Sequence, residues 1–336
     1  MTAIDAGTAL PRQKTDFWPI LLPLAMAAIA WPFIGSFSTW LTLTLAGLAM
    51  GMMIFAMASG LTLVFGLMDV LNFGHGAFIS VGAYLAMVAF TPLAAFTLAD
   101  SLSINLLALV PAMLLAMATS AAVGYVFERL LVRPVYGQHL KQILITMGGL
   151  IVAEQTLYAI FGPQIIPLSL PTALRGSLEF GGAAVERYRL LAVVVGLIVF
   201  LCLQFMLNRT KIGLLIRAGV ENKEMVEALG YRVRRLFVGV FMAGSALAGL
   251  GGMMWALYRE QVHASMGGEM MVLTFIVIII GGLGSVGGCF IGSALVALLV
   301  NYAGFLVPKI ALISNILLMV AVLLWRPRGL YPMSNR

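Results

Sequence analysis

Long apolar runs alternate with short polar or glycine-containing stretches along almost all of the 336-residue chain. A helix needs about 20 mostly apolar residues to cross the hydrocarbon core of a bilayer. By this criterion the sequence predicts ten spanning segments, of which the eighth is short and the third has poorly defined ends. They comprise residues 17–34, 41–67, 74–90, 104–131, 142–161, 190–207, 236–258, 270–283, 289–307 and 310–325.

The composition supports lipid as the main surrounding of this chain. Apolar residues make up 62% of it and charged residues only 10%, with a mean hydropathy of +1.05. Soluble domains contain roughly 45–50% apolar residues and about 25% charged residues. We therefore predict an all-α polytopic membrane protein with broken helices, folded as a single transmembrane domain over residues 1–336. A soluble enzyme, a soluble binding module and a disordered chain are excluded.

The charge balance predicts the orientation of the segments. The chain has 20 Lys and Arg against 13 Asp and Glu, a net charge of +7. No basic stripe alternates with aromatic residues, so we predict no nucleic-acid partner. If the N-terminus is cytoplasmic, fifteen basic residues lie inside, as the positive-inside rule requires. They belong to the tail 1–16, the loop after the fourth segment, the loop 208–235 and the C-terminal tail. Those left outside are Arg175, Arg187, Arg189, Arg259 and Lys309.

The first segment has two interpretations. A basic tail, an apolar run and the sequence Ala28-Ile29-Ala30 resemble a cleavable signal peptide. Its removal would leave the rest of the topology unchanged, so charge counting does not decide between them. Because Pro19, Pro23 and Pro32 are unusual in such a leader, we predict that residues 17–34 remain as an extra N-terminal transmembrane segment, with both termini cytoplasmic.

Two clusters interrupt the apolar pattern. The first, residues 66–76, contains Asp69, Asn72 and His75, and the second is the glycine-rich run 281–288. Irregular backbone at membrane depth is tolerated where it is buried in protein or lines a watery cavity. Similar short patterns follow both clusters, at residues 76–80 and 288–292, which is typical of an internal repeat. Two ordinary interfacial turns are the alternative. We predict that the clusters line a substrate pathway through Asp69, Asn72, His75, Gly281, Gly282 and Ser285.

Glu154 is an acid inside the predicted segment 142–161. A carboxylate at this depth is costly unless it is paired, hydrated or protonated. We expect it to face the protein interior. There it is either hydrogen-bonded near Gln155 and Thr156 or part of the pathway.

The loop 208–235 is the longest polar stretch. Helix formers dominate residues 222–229, Asn222 is a suitable N-cap and Gly230 a natural stop. We predict that Met225, Val226 and Leu229 share one face. Such a short amphipathic helix is typical of a segment that lies on the membrane surface or docks on a soluble partner.

The sequence shows no chemistry of its own. A phosphate-binding GxxxxGK[ST] loop and an HExxH motif are both absent. His75, His139 and His263 are far apart, and Cys202 and Cys289 lie in apolar runs without CxxC spacing. We predict no catalytic residue, no metal site and no cofactor.

Several motifs in one order resemble those of ABC importer permeases of the branched-chain amino acid type. They are Gly60-Leu-Thr-Leu-Val-Phe-Gly66, Leu71-Asn-Phe-Gly-His-Gly-Ala-Phe78, Gly82-Ala-Tyr84, Arg209-Thr-Lys-Ile-Gly213, Ile216-Arg-Ala218, Ala228-Leu-Gly230, Gly281-Gly-Leu-Gly-Ser285 and Arg326-Pro-Arg-Gly-Leu330. The similarity runs from about residue 41 to residue 330. As an ordered set these motifs are specific.

The resemblance implies the permease fold and a transport subunit of the bacterial inner membrane. It also implies a second identical or homologous permease subunit, two cytoplasmic ATPase subunits and a periplasmic solute-binding protein. Substrates in the family include leucine, isoleucine and valine, other amino acids, urea and amides, and aromatic acids. Residues 72–75 resemble the leucine-importer subunit conventionally placed first, whereas the extra N-terminal segment is more usual in its partner subunit.

The resemblance also suggests a role for the loop 208–235. The spacing from Glu224 to Gly230 is similar to the ATPase-docking loop of other importers. The expected coupling residues are Arg217, Glu221, Lys223, Glu224, Glu227 and Gly230, with Arg217 and Lys223 orienting the contact. Two hypotheses from other classes remain open: a secondary carrier with a coupling proton on Glu154 or Asp69, and a passive channel.

Overall fold

The computed structural model describes residues 18–221 and 223–331. Thirteen α-helices account for most of this part of the chain. They are α1 (Trp18–Ile34), α2 (Phe37–Met68), α3 (His75–Phe90), α4 (Ala94–Thr97), α5 (Leu102–Phe127), α6 (His139–Phe161), α7 (Arg187–Arg209), α8 (Lys211–Glu221), α9 (Lys223–Ala228), α10 (Val233–Arg259), α11 (Met266–Gly281), α12 (Val286–Leu306) and α13 (Pro308–Trp325). The predicted tail 1–16 and the N-cap Asn222 lie outside the described residues.

The prediction of an all-α polytopic membrane protein is confirmed. Six helices are long and apolar enough to cross a bilayer, namely α2, α5 with its π and 3₁₀ continuation to Val135, α6, α7, α10 and α12. Four shorter apolar helices correspond to α1, α3, α11 and α13. Together they match the ten predicted segments, with ends that differ by a few residues.

Helix α2 forms the centre of the bundle. Every residue from Ala49 to Val64 is buried, because α7, α10, α11 and α12 pack around it. A helix that is apolar on all sides requires such a position. Helix α1 packs on α12 and on the start of α2, where Trp40 Nε1 donates a hydrogen bond to the Ala27 carbonyl at 2.8 Å.

Four short strands, which the sequence did not predict, lie at one end of the bundle. β1 (Ile166–Pro167) pairs antiparallel with β4 (Gln261–Val262), and β2 (Ser177–Phe180) pairs antiparallel with β3 (Ala183–Glu186). We call this the hairpin end. The opposite end, which carries residues 128–138 and 210–232, is called the loop end.

Candidate functional site

The first break separates α2 from α3 and folds back into the bundle. His75, the first residue of α3, places Nε2 at 2.9 Å from the carbonyl oxygen of Met57. Met57 lies eleven residues before the end of α2, which corresponds to about 16 Å along the helix. Residues 69–74 therefore lead the chain from the loop end back to the middle of α2. The N-terminus of α3 lies inside the bundle.

Asp69 and Asn72 occupy opposite ends of this break. Asp69 follows the last turn of α2 in the left-handed conformation (φ 53°), with its side chain 52% exposed and 3.9 Å from His139. Asn72 is fully buried. Neither polar atom of the Asn72 side chain has a hydrogen-bond partner among the described residues. Asp69 thus lies at the protein surface and Asn72 in its interior.

The hydrogen bond of His75 fixes its tautomer. A carbonyl oxygen only accepts, so Nε2 carries the proton and donates to Met57. Nδ1 is then an acceptor, and it has no partner among the described residues. Buried polar atoms usually have at least one partner. Asn72 and His75 therefore present unsatisfied donors and acceptors inside the bundle.

Helices α3 and α11 begin side by side. Ser80 Oγ donates to the Ala264 carbonyl at 2.8 Å and accepts from the Gly267 N–H at 2.9 Å. A Cβ on Gly76 would lie 2.8 Å from the Gly267 carbonyl oxygen, so the two chains touch there. We call this contact between residues 76–80 and 264–268 the helix-start junction.

Glu154 lies beside the helix-start junction. It is half-buried and shares the inward face of α6 with Gln142, Thr146 and Leu157. Its Oε1 is 2.7 Å from where a Cβ on Gly268 would be, so the carboxylate faces the first turn of α11. The Thr156 hydroxyl bonds instead to the Val152 carbonyl. The N-terminus of a helix favours a negative charge, and this arrangement places a carboxylate there.

The second break is shorter than the sequence predicted. Helix α11 continues through Gly281 and α12 begins at Val286, so Gly287 and Gly288 are helical. Ser285 caps α12, because its Oγ accepts from the Gly288 N–H at 3.1 Å. This break lies on the end of α2, where Gly284 and Gly66 are in contact. The interruption is therefore a tight turn, and α12 begins three residues before the predicted segment 289–307.

A cavity of about 560 Å³ lies at the second break. Ser285 and Gly284 line it together with Leu63 and Leu67 of α2. Arg217 of α8 lines it as well. We call it the Ser285 cavity. Gly281 and Gly282 are buried against the segment 328–331 and do not line it.

The predicted site residues therefore fall into two groups. Asn72, His75 and Glu154 lie on either side of the start of α3, whereas Ser285 lies in its own cavity with Arg217. Gln204 and Asn208 also line the Ser285 cavity, which sequence reasoning missed. They lie one turn apart, and Asn208 Nδ2 donates to Gln204 Oε1 at 2.9 Å. Gln204 is a polar residue within the apolar run 190–207, and this feature of the sequence could have indicated the site.

We call the loop 208–235 the coupling segment, and it is more helical than predicted. Helix α8 precedes the predicted helix, which spans Lys223–Ala228, and Gly230 then ends it with φ 85°. Val226 is buried, whereas Met225 is 53% and Leu229 is 69% exposed. The prediction that the three side chains share one face is therefore wrong. A six-residue helix packs Val226 inward and leaves the other two at the surface.

The structure describes only some of the charged side chains that were predicted to contact the ATPase. Arg217, Glu224 and Glu227 are exposed. The side chains of Glu221 and Lys223 lie outside the described part of the structure. In the described residues no cluster of His, Cys, Asp and Glu has the geometry of a metal site.

Comparison with known proteins points to one family. The family model described as "Branched-chain amino acid transport system / permease component" matches residues 43–324. The chain is 27% identical to the high-affinity branched-chain amino acid transport system permease protein BraD of Pseudomonas aeruginosa, over 84% of this chain and 93% of that protein.

Two relatives from Escherichia coli K12 carry similar names. The chain is 23% identical to the permease protein LivH over 84% of this chain and 92% of that protein. It is 27% identical to the permease protein LivM over 100% of this chain and 78% of that protein. Both are high-affinity branched-chain amino acid transport system permease proteins. No solved structure matches the chain significantly.

Proposed function

The chain belongs to the family of branched-chain amino acid transport permease components, and from this premise we propose that it is the membrane-spanning subunit of an ATP-driven importer. Its substrates are branched-chain or related amino acids, delivered by a periplasmic binding protein and released into the cytoplasm. The observation that carries this proposal is the family match over residues 43–324. The proposed location is the bacterial inner membrane, with residues 1–336 forming one domain and both termini in the cytoplasm.

The energy source in this proposal is external to the chain. No phosphate-binding loop occurs in the sequence, so two separate ATPase subunits hydrolyse ATP. A second permease subunit, identical or homologous, completes the membrane part. This chain is then a transport subunit and not itself an enzyme.

The proposed ATPase contact is the segment 217–230. Met225 on the short helix α9 and Leu229 directly after it present apolar side chains to solvent, which suits docking into an apolar groove of a partner. Arg217, Glu224 and Glu227 supply exposed charges beside them. Glu221 and Lys223 join them by sequence alone. Gly230 allows the turn between this segment and α10, through which movement reaches the bundle.

The proposed substrate pathway passes the helix-start junction. The amide groups at the start of α3 and α11 favour a carboxylate, and unpaired carbonyls favour an ammonium group. Asn72 and His75 contribute unsatisfied polar atoms near the start of α3, and Glu154 contributes a negative charge on its α6 side. The Ser285 cavity, lined by Ser285, is the proposed exit toward the loop end, and Gly281 and Gly282 belong to the second break beside it. Asp69 lies where the first break reaches the surface.

Reconstitution tests this proposal. The tagged chain is purified in mild detergent from its own host, and the copurifying proteins are identified. The assembled complex is placed in proteoliposomes with its binding protein, and uptake of labelled leucine is measured with and without ATP. We expect an ATPase to copurify, uptake to require ATP, and isoleucine and valine to compete better than urea or benzoate.

Three outcomes would contradict it. Uptake by the chain alone under a proton gradient would identify a secondary carrier. Uptake without ATP or a gradient would identify a channel. Competition by urea or benzoate, but not by valine, would assign the same importer type to a different substrate.

A further inference from the structure

A basic groove of about 610 Å³ lies at the loop end, between the end of α5 and the start of α10. It is separate from the Ser285 cavity and from the helix-start junction. Five arginines and two carboxylates supply its charge. They are Arg129, Arg133, Arg232, Arg234, Arg235, Glu128 and Glu227.

The arginines of this groove lack acidic partners. Arg129 donates a hydrogen bond to the Tyr125 hydroxyl at 2.9 Å. Among the described side chains, no carboxylate pairs with the other four. Several like charges held together repel one another unless an anion joins them. Among the described residues of the lining, five arginines outnumber the carboxylates of Glu128 and Glu227, so the groove has an excess of positive charge.

The one buried acid at this position is already engaged. Glu128 is 2% exposed, and its Oε1 accepts a hydrogen bond from the Tyr136 hydroxyl at 2.8 Å. Burial and this bond raise the pKa of Tyr136, so the phenol stays protonated and continues to donate. Glu128 is thus directed toward Tyr136, which leaves the arginine guanidinium groups available for an external anion.

The groove continues into an apolar surface. On α5 and its π-helical continuation, exposed apolar side chains recur at helical spacing along one face and lead to Arg129 and Arg133. They include Leu107, Val110, Leu114, Val126 and Leu130. Helix α5 is one of the predicted spanning helices, so this face meets acyl chains. Its charged end then lies at the depth of the phospholipid headgroups.

We propose that the basic groove binds the headgroup phosphate of an anionic phospholipid, whose acyl chains lie along α5. Arginine suits this ligand, because its planar guanidinium group donates two parallel hydrogen bonds to phosphate oxygens. Basic pockets between transmembrane helices are suited to such headgroups. Tyr231 and Glu227 also line the groove, so a bound lipid braces the junction between α9 and α10.

Lipid binding to the full-length purified chain tests this inference directly. Native mass spectrometry measures retention of phosphatidylglycerol against phosphatidylcholine. The test variant is Arg133→Gln with Arg235→Gln, whose side chains make no hydrogen bond or ion pair among the described residues. The matched control is Arg209→Gln with Lys211→Gln, which removes the same charge from exposed positions at the same end.

We expect at least tenfold tighter binding of phosphatidylglycerol than of phosphatidylcholine to the unaltered chain. The groove variant should lose most of this preference and the control should keep it. Equal losses in both variants, or none in either, would overturn the proposal. Competition by inorganic phosphate or glycerol 3-phosphate at equal concentration would indicate a site for a soluble phosphate instead.

A photoactivatable phosphatidylglycerol on the unaltered chain gives a second measurement that does not depend on a variant's folding. Adducts should map to residues 125–133 and 231–238. Adducts elsewhere would contradict the site. Loss of these adducts in the ATPase-bound complex would overturn the lipid assignment and favour an acidic protein segment as occupant.

Discussion

At the residue scale, small side chains determine how closely the broken helices approach. Gly66 near the end of α2 lies so close to Gly284 that a Cβ on Gly66 would collide with the Gly284 Cα. The abundance of glycine in the sequence predicted close packing in general. It could not predict this pair, because the two residues are far apart in the chain and only the fold brings them together.

Gly66→Ala should therefore destabilise the chain. Its Cβ would meet the Cα of Gly284, and overpacking of this kind costs about 1–3 kcal/mol. Thermal unfolding in detergent measures the effect. Gly148→Ala is the control, since a Cβ there meets nothing within 4 Å. Equal unfolding temperatures for the two variants would show that the second break is free to move away from α2.

Cysteine replacement distinguishes the two groups of predicted pathway residues. Ser285 is partly exposed and lines a cavity, whereas Asn72 is fully buried. In a Cys202→Ala background, Ser285→Cys should react with a small water-soluble thiol reagent at rest. Asn72→Cys should react only while substrate and ATP drive transport. Cys202 is replaced because it is exposed, and Cys289 stays because it is buried.

Ser293→Cys, at a fully buried position of α12, is the control for this experiment. It should remain unreactive in both states. If Asn72→Cys transports substrate and never reacts, Asn72 is a packing residue and the proposed pathway at the start of α3 is wrong.

At the scale of elements, hydrophobic periodicity predicted the membrane helices but not the short connections. Helix α8 was missed because Gly213 and Gly219 interrupt an otherwise amphipathic pattern. The strands were missed because two to four residues carry no readable alternation. Glu128 was missed as a buried acid because it falls near the end of the predicted segment 104–131. Its hydrogen-bond donor, the Tyr136 hydroxyl, follows that segment.

The exposed side chain of Leu229 should be required for coupling to the ATPase. In Leu229→Gln we expect uptake to fall at least fivefold, because an apolar contact on the partner is replaced by a polar group. The unfolding temperature should not change, since Leu229 is exposed. Both quantities are measured on the assembled transporter in proteoliposomes.

Leu140→Gln is the matched control, because Leu140 is 79% exposed on α6 at the same end. Gly230→Val should uncouple ATP hydrolysis from uptake, since valine tolerates a φ of 85° poorly. Normal uptake by both Leu229→Gln and Gly230→Val in an intact complex would place the ATPase contact elsewhere.

At the scale of the whole molecule, the charges sort to the two ends of the bundle. The five arginines of the basic groove lie at the loop end. Arg175 pairs with Glu260 at the hairpin end, and Arg189 lies over the Tyr258 ring there. The sequence predicted this division from the parity of crossings. The separation of the helix-start junction from the Ser285 cavity could not be predicted, because it depends on which face of α2 each break meets.

Thiol labelling of intact cells measures the orientation. In the Cys202→Ala background, Glu179→Cys at the hairpin end should react with a membrane-impermeant reagent. Gln138→Cys at the loop end should react only after the cells are permeabilised. Both positions are exposed, so differences in burial do not explain the result. The reverse pattern would place the N-terminus outside.

The backbone contacts of the second break impose an order on biosynthesis. The carbonyls of Ile280 and Gly281 accept hydrogen bonds from the N–H groups of Leu330 and Tyr331, which follow fifty residues later in the chain. At an elongation rate of about 5–20 residues per second, the ribosome needs roughly 3–10 s to supply those donors. When helix α11 leaves the insertion machinery, these two carbonyls therefore lack their hydrogen-bond donors. A stop codon before residue 330 would remove the donors permanently.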